Sequence, residues 1–256
     1  MLQQSAQSSA EPRPRPIQFR PLAALQRAYA TNRTLTLLGV LMLVALAASI
    51  LGLLFDPRTI TGVPAWLKPF KFAVSISLYA FTLIWILSFV QGRRFWLRLV
   101  SGATLVILLG EMVLVITQVL RGTTSHFNRA TPFDTAMFSA MGMMISALWV
   151  IQLIAALLLI FQRLPDRAFA WSLRLGLLLA LVGAALGFLM TTPSAAQLAQ
   201  LQAGAHLSVI GAHSVGVPDG GPGLPITGWS STGGDLRISH FIGLHALQIL
   251  PLLGLL

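Results

Sequence analysis

Six runs of apolar residues, each close to the length that crosses a bilayer, constrain this chain more than anything else in it. About 20 apolar residues span a hydrocarbon core. No water is there to satisfy backbone N–H and C=O groups, so each run must be helical. The runs fall at about Thr34 to Phe55, Pro69 to Val90, Phe95 to Leu120, Thr135 to Phe161, Ala168 to Met190 and Leu236 to Leu256. The expected fold is all-α, a polytopic transmembrane helix bundle of about six spans. Composition agrees: 55% of the 256 residues are hydrophobic and 9% charged, against roughly 25% charged in soluble domains.

Charge sets the orientation. Arg13, Arg15, Arg20, Arg27, Arg33, Arg93, Arg94, Arg98, Arg163, Arg167 and Arg174 flank one set of span ends, eleven cations in all. The opposite ends carry six: Arg58, Lys68, Lys71, Arg121, Arg129 and Arg237. The positive-inside rule places the first set, and the N-terminus, in the cytoplasm. The net charge of +10 therefore belongs to membrane flanks. It points to anionic lipid head groups and not to nucleic acid. Cysteine is absent, which removes disulfides and thiolate metal sites.

Residues 1–33 are too polar for a signal peptide and read as a basic, disordered cytoplasmic tail, with a short interfacial helix near Leu22 to Tyr29. Residues 34–256 form the transmembrane helical domain, with a long extracytoplasmic loop at about 191–235. Turn residues such as Pro218-Asp-Gly-Gly-Pro-Gly223 predict irregular structure in that loop. Thr191 to Ala203, rich in Ala, Gln and Leu, predicts a short interfacial helix. The last run stops at Leu256 with no basic anchor, the pattern of a truncated sequence with further spans to follow.

The rare polar residues gather at the outer ends. Glu111 lies nine residues inside the third span, about 13 Å deep at 1.5 Å per residue. A carboxyl at that depth faces the protein interior and commonly serves ions or protons. Thr104 and Gln118 stand seven residues either side, on the same helix face. His245 lies at matching depth in the sixth span, in a stripe with Arg237, Phe241 and Gln248. Glu111, His245, Gln118 and Gln248 are thus the proton or ligand candidates, and a Glu111–His245 pair would make a proton relay or a metal site.

Lys68 and Lys71 flank Pro69 at a helix N-terminus, where cations are disfavoured. They are expected to face Asp56, a lipid phosphate or an anionic ligand. Arg121 and Arg237 would complete that anion or head-group cluster, unless Asp235 neutralises Arg237. His126, His240 and Asp235, with Asp134, supply donors for a divalent metal, although their spacing matches no local motif. Haem would need a second histidine at the depth of His245. His206 and His213 read as solvated loop residues. Gly183 and Gly187 form a small-xxx-small pair that implies close helix packing. Phosphate loops, nucleophile elbows and paired glycosidase acids are absent, so soluble-enzyme chemistry is not indicated.

The segment Gly233-Gly-Asp-Leu-Arg-Ile-Ser-His-Phe-Ile-Gly-Leu-His-Ala-Leu-Gln248, together with Arg121-Gly-Thr-Thr-Ser-His-Phe-Asn128, resembles a signature of uncharacterised bacterial multi-pass membrane proteins. The resemblance implies a helical inner-membrane protein and brings no activity or cofactor. Three functions fit these residues. The first is a transporter-like or ligand-binding protein with a polar site open to the outside, its partners the bilayer and an anionic small molecule or head group. The second is a membrane-embedded enzyme or redox protein using a metal or haem. The third is a structural or assembly subunit.

Overall fold

The computed structural model describes residues 20–255. Most of the expected tail, residues 1–19, and Leu256 lie outside the described residues. Among the described residues eight helices carry the fold: α1 Pro21–Thr31, α2 Arg33–Phe55, α3 Leu67–Leu87, α4 Arg94–Leu120, α5 Pro132–Ile160, α6 Arg167–Met190, α7 Ala195–Gln202 and α8 Leu236–Leu253. Six of them, α2 to α6 and α8, are long and apolar enough to cross a membrane. Large apolar side chains such as Phe55, Val106, Val150 and Leu252 remain exposed on these helices. That is the surface a lipid solvent requires.

Local chemistry explains the helix ends. Asn32 breaks α1 from α2, and its carboxamide oxygen caps α2 at the Leu35 N–H, 3.0 Å away. Its Nδ2 donates to Ser101 Oγ at 2.7 Å, which ties the start of α2 to α4. Thr131 caps α5 ahead of Pro132, and Asp166 caps α6. Ser194 and Gln197 form a reciprocal capping box on α7, the short helix expected there.

The closest helix pairs are α6 with α8, α2 with α3, and α4 with α5. Each pair is joined through one face of the bundle. Residues 56–66 connect α2 to α3 and contain a two-residue hairpin, β1 Thr59–Ile60 with β2 Val63–Pro64. Residues 121–131 connect α4 to α5. Residues 191–235 connect α6 to α8 and include β3 Ser214–Val215 paired antiparallel with β4 Gly234–Asp235. The connections at the other face, 88–93 and 161–166, are short.

Gly183 of α6 sits against Gly243 of α8. A Cβ at residue 183 would lie 2.6 Å from the Gly243 Cα. The small-residue pairing expected from sequence thus brings two backbones together. The core is a continuous apolar cluster through α2 to α6 that also takes in Leu247 of α8.

Candidate functional site

The 121–131 and 191–235 connections are knitted into one cap. Asn128 and Val209 form an antiparallel bridge, the Arg129 N–H donates to Ser208 O at 2.8 Å, and the Ile210 N–H donates to Phe127 O at 3.1 Å. Lys71 Nζ donates to Ile226 O at 2.8 Å, so α3 also holds the long loop. Phe127 adopts φ of 62°, a costly left-handed conformation for an aromatic residue. Its ring is thereby buried against Phe138 and against His213 at 4.9 Å.

Asp134 fastens the α4–α5 corner. Its buried carboxylate accepts from Gln118 Nε2 at 2.9 Å, from Arg121 at 2.5 Å and from Thr131 Oγ1 at 2.6 Å. Gln118 also accepts from Arg121, and the Arg121 guanidinium lies 4.4 Å from the centre of the Phe133 ring. Two sequence candidates, Gln118 and Arg121, are therefore already satisfied by Asp134. Arg237 is held likewise, by the Asp235 carboxylate at 2.6 Å and by Gly228 O. Burial of Asp235 opposes its ionisation, but Arg237 and the Ser230 and Arg237 N–H groups hold its pKa below the ordinary carboxylate value. Asp56, considered as a partner for the lysines, is instead bound by Arg58 and by Trp66 Nε1. Its pKa is held down, chiefly by the Arg58 hydrogen bond.

Lys68 and Glu111 remain. Lys68 Nζ lies 3.0 Å from His126 Nδ1. With Lys68 as an ammonium, which only donates, Nδ1 accepts and the imidazole proton sits on Nε2. Ser125 Oγ is 3.1 Å from the same nitrogen. Burial pushes the His126 pKa well below its usual value, and the positive charges of Lys68 and His213 add to the effect. Phe72, Phe127 and Phe138 surround the His126 ring.

Glu111 is 1% exposed, and neither carboxyl oxygen has a hydrogen-bond partner. Thr104 Oγ1, two turns away on the same face, is also buried without a partner. Lys68 acts on Glu111 electrostatically, although the two make no direct ion pair. Unpartnered buried polar atoms cost about 1–3 kcal/mol each, and more when charged. A proton, a water or a ligand donor at Glu111 would remove that cost.

His213 is half-buried and donates from Nδ1 to Asp219 at 3.0 Å. Burial and the Arg237 charge lower its pKa, against the opposing pull of Asp219. Asp219 in turn accepts the His213 and Ser214 N–H groups, which hold its pKa down despite burial. The solvated reading fits His206, which is exposed, and misses His213. The turn residues Gly216 and Pro218, which fold Asp219 back onto residue 213, were the available signal.

No hydrogen bond joins Glu111 and His245, the pair that matched depths suggested. Glu111 has no hydrogen-bond partner, and His245 packs on Phe241 of its own helix at 4.3 Å. The reason is azimuth: α8 packs chiefly on α6, while α4 packs on α5, α2 and α3. Gln248 Oε1 is buried and unpartnered on α8. The candidate metal donors are likewise dispersed. His240 Nδ1 donates to Gly183 O at 2.7 Å, His126 serves Lys68, and Asp235 serves Arg237. Among the described residues no three His, Asp or Glu side chains gather to hold a metal ion.

No known protein family matches the chain, and no curated protein or solved structure is similar to it.

Proposed function

We propose that this chain is a transporter-like, ligand-binding protein of the bacterial cytoplasmic membrane, with its knitted cap facing outward. Glu111 handles protons, and Lys68 recognises an anionic group on the ligand. The carrying observation is the pair of unpartnered Glu111 oxygens beneath a lysine that has only a neutral imidazole as acceptor. Intramembrane ionisable residues are rare because they are costly, and they commonly mark ion or proton paths. Arg121 and Arg237 are already neutralised by carboxylates, which narrows anion recognition to Lys68, with Lys71 beside it bonded only to a carbonyl. The resemblance to bacterial inner-membrane proteins and the excess of arginine at the short-connection face support this membrane and orientation.

The test uses proteoliposomes loaded with a pH-sensitive dye. A panel of small carboxylates and phosphate is added outside, with and without an imposed membrane potential. The proposal expects at least one anion to drive internal pH change. Glu111→Gln should cut that rate at least tenfold and Lys68→Met should raise the half-saturating concentration, both inserting normally. Substitutions that lower only thermal stability, with no anion-driven pH change in the parent protein, would favour the structural-subunit reading.

A further inference from the structure

At the short-connection face, an open groove is lined by Arg163 and Leu164 of the α5–α6 connection and by Arg167, Ala168, Trp171 and Arg174 of α6. Arg167, Trp171 and Arg174 follow one another at spacings of four and three, so they form one stripe along α6. Arg174 stands two turns, about 10 Å, from Arg167 along the helix axis. Its guanidinium folds back toward the helix start, where NH2 donates to Gln162 O at 3.1 Å. That bond brings the charge against the loop carrying Arg163.

Three features make this more than the general arginine excess of a cytoplasmic face. Among the described residues no carboxylate forms an ion pair with Arg163, Arg167 or Arg174. Asp166, the nearest acid in sequence, spends its carboxylate on capping the Phe169 N–H at 2.9 Å. Arg174 Nε is buried with no hydrogen-bond partner, although its neighbour NH2 is satisfied. A buried guanidinium N–H without an acceptor is a standing demand for an anion. Trp171 is 60% exposed beside the groove, Phe161 is 79% exposed at the end of α5, and the Arg174 guanidinium lies 5.5 Å from the Trp171 ring centre. An exposed indole at the edge of a span belongs at the head-group level of a bilayer.

We propose that this groove binds the phosphate head group of an acidic phospholipid of the cytoplasmic leaflet. The three guanidiniums take the phosphate oxygens, and Trp171 and Phe161 lie along the upper acyl chains. The exposed Trp171 wall, with Phe161 exposed at the end of α5, chooses a lipid over a free phosphate, since a small hydrated anion has no use for either. This site is separate from Lys68 and Glu111 at the opposite face and does not depend on the function proposed for them.

Native mass spectrometry of the full chain, released from neutral detergent micelles holding equal phosphatidylglycerol and phosphatidylcholine, tests it. The expected result is one phosphatidylglycerol retained per chain, preferred at least tenfold over phosphatidylcholine. An Arg167→Gln/Arg174→Gln double variant should lose that preference. Arg94→Gln, exposed at the same membrane face, should keep it. If the double variant does not fold, Arg163→Gln in the exposed connection should still weaken retention about threefold. Equal retention of the two lipids would overturn the proposal, as would equal losses in Arg94→Gln and the groove variants. Displacement of the lipid by millimolar inorganic phosphate would overturn the lipid assignment.

Discussion

His126 shows how one side chain couples the cap to the bundle. It accepts from Lys68 at the start of α3, and its ring is enclosed by Phe72, Phe127 and Phe138. Protonating Nδ1 would turn that acceptor into a donor facing an ammonium. A histidine whose pKa is lower folded than its unfolded value of about 6.5 binds fewer protons when folded. Its contribution is therefore complete above about pH 6.5 and is lost as pH falls toward the folded value. His213, lowered in the same direction, adds to the loss. The detergent-solubilised protein should lose on the order of 1 kcal/mol or more of stability between about pH 7.5 and 5. His126→Gln, which can still accept from Lys68, should flatten much of that profile. Melting temperature against pH checks this, and an unchanged slope in the variant would assign the loss elsewhere. Losses below about pH 4 belong to Asp56, Asp219 and Asp235, whose carboxylates are held ionised in the fold.

The α6–α8 pair is set by backbone approach. A Cβ at residue 183 meets the Gly243 backbone, whereas one at residue 187 meets only the His240 ring, 3.2 Å away. Gly183→Ala should therefore cost about 1–3 kcal/mol by overpacking. Gly187→Ala should cost less, because a side chain can swing aside and a backbone cannot. Thermal unfolding of the two variants in the same detergent reads the difference, and equal effects would contradict the packing described. At this scale much could be read from sequence. Span lengths, the close packing at Gly183 and the short helix before residue 203 follow from local composition and spacing. The depth of Glu111 was equally legible, because depth is a count of residues along one helix. Its neighbours were not. Which helix faces which is decided by packing between segments far apart in sequence, so matched depth alone could not pair His245 with Glu111. The Lys68–His126 contact, 58 residues apart, left no local trace either. Nor did the choice of Asp134 as the acceptor that claims Gln118 and Arg121.

Across the whole molecule, the helix pairs and the cap describe one asymmetric object. Longer, cross-bonded connections lie at one face; short, arginine-flanked connections lie at the other. The ionisable groups buried in the bundle lie beneath the first face, and the open arginine groove lies at the second. Everything proposed about proton handling requires that the 121–131 and 191–235 connections share a side of the membrane. The native chain has no cysteine, so single cysteines can be introduced without background. Cysteines at Gly62, Gly122 and Gly220, where an added side chain meets no nearby atoms and only the left-handed backbone resists it, report one face, and cysteines at Gly92 and Pro165 report the other. Labelling intact cells with a membrane-impermeant maleimide is the most direct measurement. Residues 62, 122 and 220 should react from outside, while 92 and 165 should react only after the membrane is opened. Labelling of 122 and 220 from opposite sides would contradict the account.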